Sequence, residues 1–158
     1  MSARPGFVPR IVPLDAFLLR EVIAEPADPL AAEMASGPQF ETRAMLIPGL
    51  SFAMIDGAFA VAACGLIPIF AGRAECWALL SRQVRPRHIV RGTRALKDFL
   101  DLRQRDPAFR RVEMTVVASN CWASSFAHAL GFVREGLMRA YDPLARDHVL
   151  FARVKERF

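Results

Sequence analysis

The sequence predicts an α+β fold in which a mixed β-sheet is covered by helices. Three observations lead there. Two apolar runs, Leu50–Ile55 and Phe59–Pro68, are joined through Asp56-Gly57, a strong hairpin signal. Downstream, apolar strand-like runs alternate with helical ones and close on a second hairpin around Asp142-Pro143-Leu144-Ala145. The chain has 158 residues, 53% hydrophobic and 23% charged, which suits one domain with one core. A helical N-terminal part over residues 1–48 and a core over 49–156 are expected within that single domain.

The elements follow in order. Phe7–Val12 reads as a first strand. Leu14, Phe17, Leu18 and Val22 recur at helical spacing after Pro13, so Leu14–Ala24 is an amphipathic helix. A second short helix is expected over Asp28–Ala35, stopped by Ser36-Gly37-Pro38. Ala74–Ser81 extends the central hairpin into a meander. Ile89, Leu96, Phe99 and Leu100 mark a helix that Pro107 ends. Val112–Ala118 is a strand. Asn120–Leu130 is a helix, with Ser119 or Asn120 as N-cap and Gly131 just past its end. Val133–Ala140 and His148–Val154 complete the set.

Composition narrows the setting. Cys64, Cys76 and Cys121 are odd in number and lack CxxC spacing, which argues against disulfides or a metal site and suits a reducing, cytoplasmic compartment. The opening residues carry no apolar core of a signal peptide. The longest uncharged run, Gly57 to Gly72, is short of the ~20 residues a spanning helix needs and contains Pro68, so no membrane association is expected. The net charge of +5 suggests an anionic partner without choosing among nucleic acid, phosphates and acidic protein.

Two stretches carry the chemistry. The first, Arg82 to Arg94, holds five arginines, one glycine and no acid, where a strand gives way to a helix. Amides at a helix start with arginines around them form an anion site, and a pyrophosphate is a natural guest. The same stretch can be read as a solvated basic loop or as a nucleic-acid contact. The second is Asn120-Cys-Trp-Ala123-Ser-Ser-Phe126-Ala127-His-Ala-Leu130-Gly131-Phe132.

This second run resembles the GNAT N-acyltransferases, which place an Asn, an Ala three residues on, an aromatic and a closing Leu-Gly-Phe in the same way. Upstream, Arg87-x-x-Val90-x-Gly92 is the best match to that family's Arg/Gln-x-x-Gly-x-Gly/Ala loop. The resemblance covers about residues 50–156 and is most specific from Asn120 to Gly136. The tail around Tyr141, Pro143 and Asp147 looks most like small GNAT-like proteins of bacteria and their phages.

The resemblance implies a GNAT fold binding acetyl-CoA (or CoA), with transfer of an acetyl group to an amine acceptor by direct attack and no metal. Leu79, Leu80 and Ser81 would offer exposed backbone to the pantetheine arm and thioester. Arg85, Arg87, Arg91, Gly92 and Thr93 would hold the pyrophosphate. Asn120 would meet the pantetheine from the other side. Two departures stand out: Val90 replaces the first loop glycine, and Ala127 stands where many family members carry the tyrosine that protonates the leaving thiolate. Tyr141, the only tyrosine, is the substitute acid, with Ser124 and Ser125 as further candidates.

Glu75 is the candidate base: an acid inside an apolar strand run, on one face with Trp77, Leu79 and Ser81, where burial raises a carboxyl pKa. Its bland alternative is a rim carboxylate paired with Arg73. Glu113 reads as solvent-facing, His88 as part of the basic loop or surface, His128 as packing or solvent-facing, His148 as a hairpin residue, Cys121 as structural, and Trp77 and Trp122 as core. The alternative to an enzyme is a GNAT fold that binds acyl-CoA or a protein partner without turnover, in a phage-associated structural or accessory role. Nucleic-acid binding is the third reading, against which stands the lack of any aromatic-interleaved basic stripe. The exposed strand edges are compatible with a homodimer.

Overall fold

The computed structural model describes residues 8–30 and 42–156. Along them run β1 (Arg10–Pro13), α1 (Ala16–Ala24), the one-turn α2 (Thr42–Met45), β2 (Ser51–Asp56), β3 (Phe59–Phe70) and β4 (Arg73–Leu80). Then come α3 (Pro86–Arg103), a 3₁₀ turn (Pro107–Phe109), β5 (Arg111–Val117), α4 (Cys121–Ala129), β6 (Val133–Met138) and β7 (His148–Val154). The strands form one mixed seven-stranded sheet in the order β1-β2-β3-β4-β5-β7-β6. The β4–β5 pair is parallel; β1–β2, β2–β3, β5–β7 and β6–β7 are antiparallel. The α+β reading with a mixed sheet therefore holds. The helix expected over Asp28–Ala35 falls largely outside the described residues. Among the described residues no helix is long and apolar enough to cross a membrane.

The chain forms two compact units, one from the residues through Ile67 with Trp77–Gly92, the other from Pro68–Cys76 with Thr93 onward. In the first, Leu14, Leu19 and Val22 pack with Met45, Ala53, Ala60, Ala63 and Trp77. The first helix starts at Ala16 rather than Leu14 because Pro13 still belongs to β1 and Asp15 is the N-cap, its carboxylate accepting from the Leu18 amide at 2.8 Å. The hairpin signal is realised with Asp56 and Phe59 as the last pair and Gly57 at φ +64°, the positive φ that a tight two-residue turn of the primed kind requires. Gly65 has no room for a side chain: a Cβ there would sit 2.5 Å from the Leu50 carbonyl oxygen.

In the second unit, β5 buries Val112, Met114 and Val116, and α4 buries Ala127. The end of α4 follows its sequence signals closely. Asn120 caps it, accepting from the Ala123 amide at 3.0 Å. Gly131 adopts φ +86°, with Phe132 N–H bonded to Ala127 C=O (3.0 Å) and Gly131 N–H to His128 C=O (2.9 Å). This pair of bonds is the Schellman closure that a glycine at this position favours. The buried Gln104 side-chain amide donates to the carbonyls of Phe109 and Arg153, tying the end of α3 to the start of β5 and to β7.

Candidate functional site

In the first unit the basic stretch is a helix rather than a loop. The helix α3 begins at Pro86, ahead of Arg87, so the residues matched to a phosphate-binding loop are its first turns. Proline at the first helical position has its φ preset and lacks the N–H a helix start cannot use. Val90, in place of glycine, keeps the backbone helical and is 56% exposed. Three amides of this turn are engaged: those of His88 and Ile89 donate to the Arg85 carbonyl at 2.9 and 3.2 Å, and that of Arg85 donates to His88 Nδ1 at 2.9 Å. Later amides belong to the helical ladder. Gly92 lies within α3, where an added Cβ would come 3.2 Å from the Met54 methyl. That methyl is the movable end of a side chain and, among the described residues, the only atom outside the helix within 4 Å, so packing does not by itself demand a glycine here. Thr93, next along α3, is half-buried.

The side chains sort into two groups. His88 is 2% exposed, a correction to its placement in a surface loop. Its Nδ1 accepts from Arg85, so Nε2 carries the proton and donates to Asp56 at 2.8 Å. Arg87 also binds Asp56. The hydrogen bonds from His88 and then Arg87 hold the Asp56 carboxyl below its usual range. Arg87 is thereby committed within the protein. Arg82, Arg85, Arg91 and Arg94 are exposed and form no ion pair with any described residue. They are the charges available to an anion.

At the end of β4 part of the backbone is already bonded, while the parallel pairing of β4 with β5 runs only over Arg73–Glu75. The Leu80 carbonyl accepts from the Ala27 amide (2.8 Å), the Ser81 amide donates to Val61 (2.9 Å), and the Arg82 amide donates to Glu25 (2.8 Å). An antiparallel bridge joins Pro26 to Ser81. Unpaired backbone at a buried strand end is costly, and the segment after α1 satisfies it. Ser81 is itself buried, its hydroxyl accepting from the Gln83 amide, while Leu79 packs on the core of this unit.

The second unit holds the titratable cluster. The parallel register sets Glu75 beside Glu113 and Arg73 beside Arg111. Arg73 binds Glu113 at 2.6 Å, not Glu75, and Arg111 binds both Glu113 and Glu135. Glu113 is thus buried between two guanidiniums rather than solvent-facing. Its pKa is lowered, chiefly by the Arg73 hydrogen bond. Glu75 makes no ion pair with any described residue. Burial raises its pKa, with the Arg73 charge opposing and the Glu113 charge adding. Tyr141, 48% exposed, lies in the field of Glu75. Its pKa is raised, first by desolvation and then by Glu75.

Asn120 is exposed and its side-chain oxygen is occupied by the helix cap, leaving its amide NH₂ outward. His128 is exposed and edge-on to Phe151 at 5.2 Å. Trp77 is core, whereas Trp122 is half-exposed and stacks on Phe126 at 5.6 Å. Two polar groups were not read from the sequence as functional. The sequence marks Asp56 only as a turn residue and Asp142 only as part of the last turn, whereas Asp142 is buried against His148. The Asp-x-x-x-Arg-x-His spacing over residues 142–148 was the available signal. Among the described residues no cluster of acids, histidines and cysteines has the makings of a metal site.

The fold is shared with solved N-acetyltransferases. A GNAT-family acetyltransferase from Bacillus anthracis matches with a TM-score of 0.69 at 15% identity, over 96% of this chain and 98% of its own. The ribosomal-protein-S18-alanine N-acetyltransferase of Escherichia coli matches at 0.67 and 14%, over 96% and 99%. The ribosomal-protein-S5-alanine acetyltransferase of Vibrio fischeri matches at 0.59 and 18%, over 67% of this chain and 61% of that one. This chain thus spans less than two thirds of the latter protein. No protein-family profile matches the chain, and no curated sequence does at a significant level. At these identities the likeness is one of fold: the chain has the GNAT acyltransferase architecture.

Proposed function

We propose that this chain is an acetyl-CoA-dependent N-acetyltransferase acting on an amine acceptor. The observation that carries the reading is Glu75, a half-buried carboxylate without an ion-pair partner among the described residues, whose charge reaches the chain's only tyrosine on a GNAT sheet. Acetyl-CoA, when bound, would supply the activated acyl group.

The donor set fits that polyanion through side chains: Arg82, Arg85, Arg91 and Arg94 are exposed and form no ion pair with a described residue, while the amides of Arg85, His88 and Ile89 are already bonded. Arginine suits phosphate by its planar, multiply donating head. The Asn120 NH₂ is a further donor for the pantetheine amides. Glu75 would take the proton of the acceptor's ammonium, so that the neutral amine attacks the thioester, a task that a raised carboxyl pKa favours. Tyr141 would hold an exchangeable proton on its phenol for the leaving group, in place of the residue that Ala127 lacks.

A second reading is a GNAT fold that binds an acyl-CoA or a protein partner without turnover. The helical start at Pro86, which withdraws the backbone amides, favours it. Calorimetric titration with acetyl-CoA, CoA and dephospho-CoA separates these, using wild type and an Arg85→Ala/Arg91→Ala variant. Micromolar binding that the variant loses, with CoA release in an amine screen, supports the enzyme. Binding without release in any amine supports the second reading. No binding to any of the three removes both acyl-CoA readings and leaves a protein or nucleic-acid partner for the arginines.

A further inference from the structure

The loop between β6 and β7 is built around a buried carboxylate for which acyl transfer alone gives no reason. Asp142 is fully buried at its side chain. Its Oδ1 accepts from the Leu144 and Arg146 amides, both at 3.0 Å. Its Oδ2 accepts from Arg146 Nε at 2.6 Å and His148 Nε2 at 3.0 Å. Burial alone would raise this carboxyl; the hydrogen bonds from His148 and from the Arg146 backbone and side chain outweigh it and hold it well below the usual range. The same loop passes through the left-handed region at two residues that carry a Cβ, Ala140 (φ +48°) and Ala145 (φ +56°). Such strain persists only where surrounding bonds over-determine the backbone, and it gathers at functional sites.

Those bonds converge on Tyr141. Its amide donates to the Arg146 carbonyl at 2.9 Å, the Ala145 amide closes onto the Asp142 carbonyl at 2.8 Å, and the Ala140 amide reaches Asp147 at 2.9 Å. The Tyr141 ring rests on the His148 imidazole, centroids 4.9 Å apart and tilted by 51°. A carboxylate can only accept, so His148 donates through Nε2, which fixes the ring plane. His148 Nδ1 is buried with no hydrogen-bond partner among the described residues, so the carboxylate is what holds the imidazole in place. Through the β5–β7 register, Val117 lies opposite His148 and Thr115 opposite Leu150, which puts Thr115 on the same face as His148.

We propose that Asp142 and His148 are positioning residues for Tyr141: the carboxylate orients the imidazole, and the imidazole holds the Tyr141 ring against β7. The inference rests on the acyltransfer reading for its purpose, but its physical content is a packing relation that can be measured separately. The charged and titratable groups around the phenol are Arg73 and Glu75 on β4, Glu113 on β5, His148 on β7, and Asp142 and Arg146 in the loop.

Because the chain has one tyrosine, ultraviolet absorbance near the tyrosinate band reports Tyr141 alone. The variant His148→Gln keeps a donor for Asp142 and removes the ring. A purely structural role for His148 predicts an unchanged tyrosine titration. The positioning role predicts that the phenol becomes more solvated, so its midpoint falls. It also predicts that kcat drops on the order of tenfold to a hundredfold while KM for acetyl-CoA stays put. An unchanged midpoint overturns the proposal whatever the turnover. A lowered midpoint in a protein whose wild type turns over no amine upholds the packing relation and sinks the acyltransfer reading. If His148→Gln does not fold, the wild type decides: proton–proton Overhauser contacts between the single tyrosine ring and an imidazole are expected, and their absence refutes the pair.

Discussion

Replacing Gly92 by alanine separates two accounts of the basic stretch. If Gly92 lined a phosphate cradle, an added methyl would block the anion's approach. In the structure Gly92 sits inside α3 with no positive φ, so the helix should welcome the methyl. Alanine is favoured over glycine in a helix interior by about 1 kcal/mol. Against this stands one contact: the new Cβ would lie 3.2 Å from the Met54 methyl, which must retreat by a few tenths of an ångström. That methyl is the far end of a side chain with three rotatable bonds, so the offset is a fraction of the gain. The expected net for Gly92→Ala is about 0.5 kcal/mol of stabilisation, or ~1–2 °C for a chain of this size. Differential scanning calorimetry measures it, and acetyl-CoA affinity should match wild type. A fall of several degrees would mean that Met54 cannot yield. Intact melting with lost acetyl-CoA binding would refute the helical account and restore Gly92 to the anion.

Two further outcomes follow from the same geometry. Gly65→Ala should cost about 3 kcal/mol, at the upper end for overpacking, because the added Cβ would meet the Leu50 carbonyl at 2.5 Å; the denaturant midpoint should fall with little change in m. Glu75→Gln should flatten the pH dependence of stability. The pKa of Glu75 is raised in the folded state, so its contribution is present at acid pH and lost as pH rises through the folded value. Chemical denaturation of the two proteins should therefore show the variant more stable at neutral pH, with the gap closing toward acid, and an unchanged gap would refute the desolvation of Glu75.

Local signals were read well because their causes are local. Asp56-Gly57 fixes a turn by dihedral need, Asn120 caps by its own side chain, and Gly131 ends α4 by tolerating φ +86°. Partner choice was not legible because register decides it. Alternation put Glu75 near Arg73, yet the parallel pairing of Arg73–Glu75 with Arg111–Glu113 offers Arg73 a second carboxylate, and it takes Glu113. His88 looked like a loop residue because Asp56, which buries it, lies 32 residues earlier. The loop reading of Arg85–Gly92 leaned on resemblance. Pro86 and the helix-compatible Val90 pointed the other way, and local propensity prevailed.

The replacement of the customary tyrosine by Ala127 is coupled to packing, which gives one last test. Ala127 is fully buried, and its carbonyl accepts the Phe132 amide in the closure of α4. A phenol there would have to displace the close-packed neighbours of a fully buried residue and find a partner for its hydroxyl. Ala127→Tyr should thus restore no proton donor and should cost about 3 kcal/mol or more by overpacking. Tyr141→Phe, by contrast, keeps the ring on His148 and removes only the proton, so it should fold as wild type and lose about a hundredfold or more in kcat, as loss of a general acid does. Thermal melts and steady-state rates on the two variants decide the matter. A well-folded Ala127→Tyr with faster turnover would return the acid to α4. An undiminished rate in Tyr141→Phe would mean that the leaving group departs without help, and the loop around Asp142 would then need another purpose.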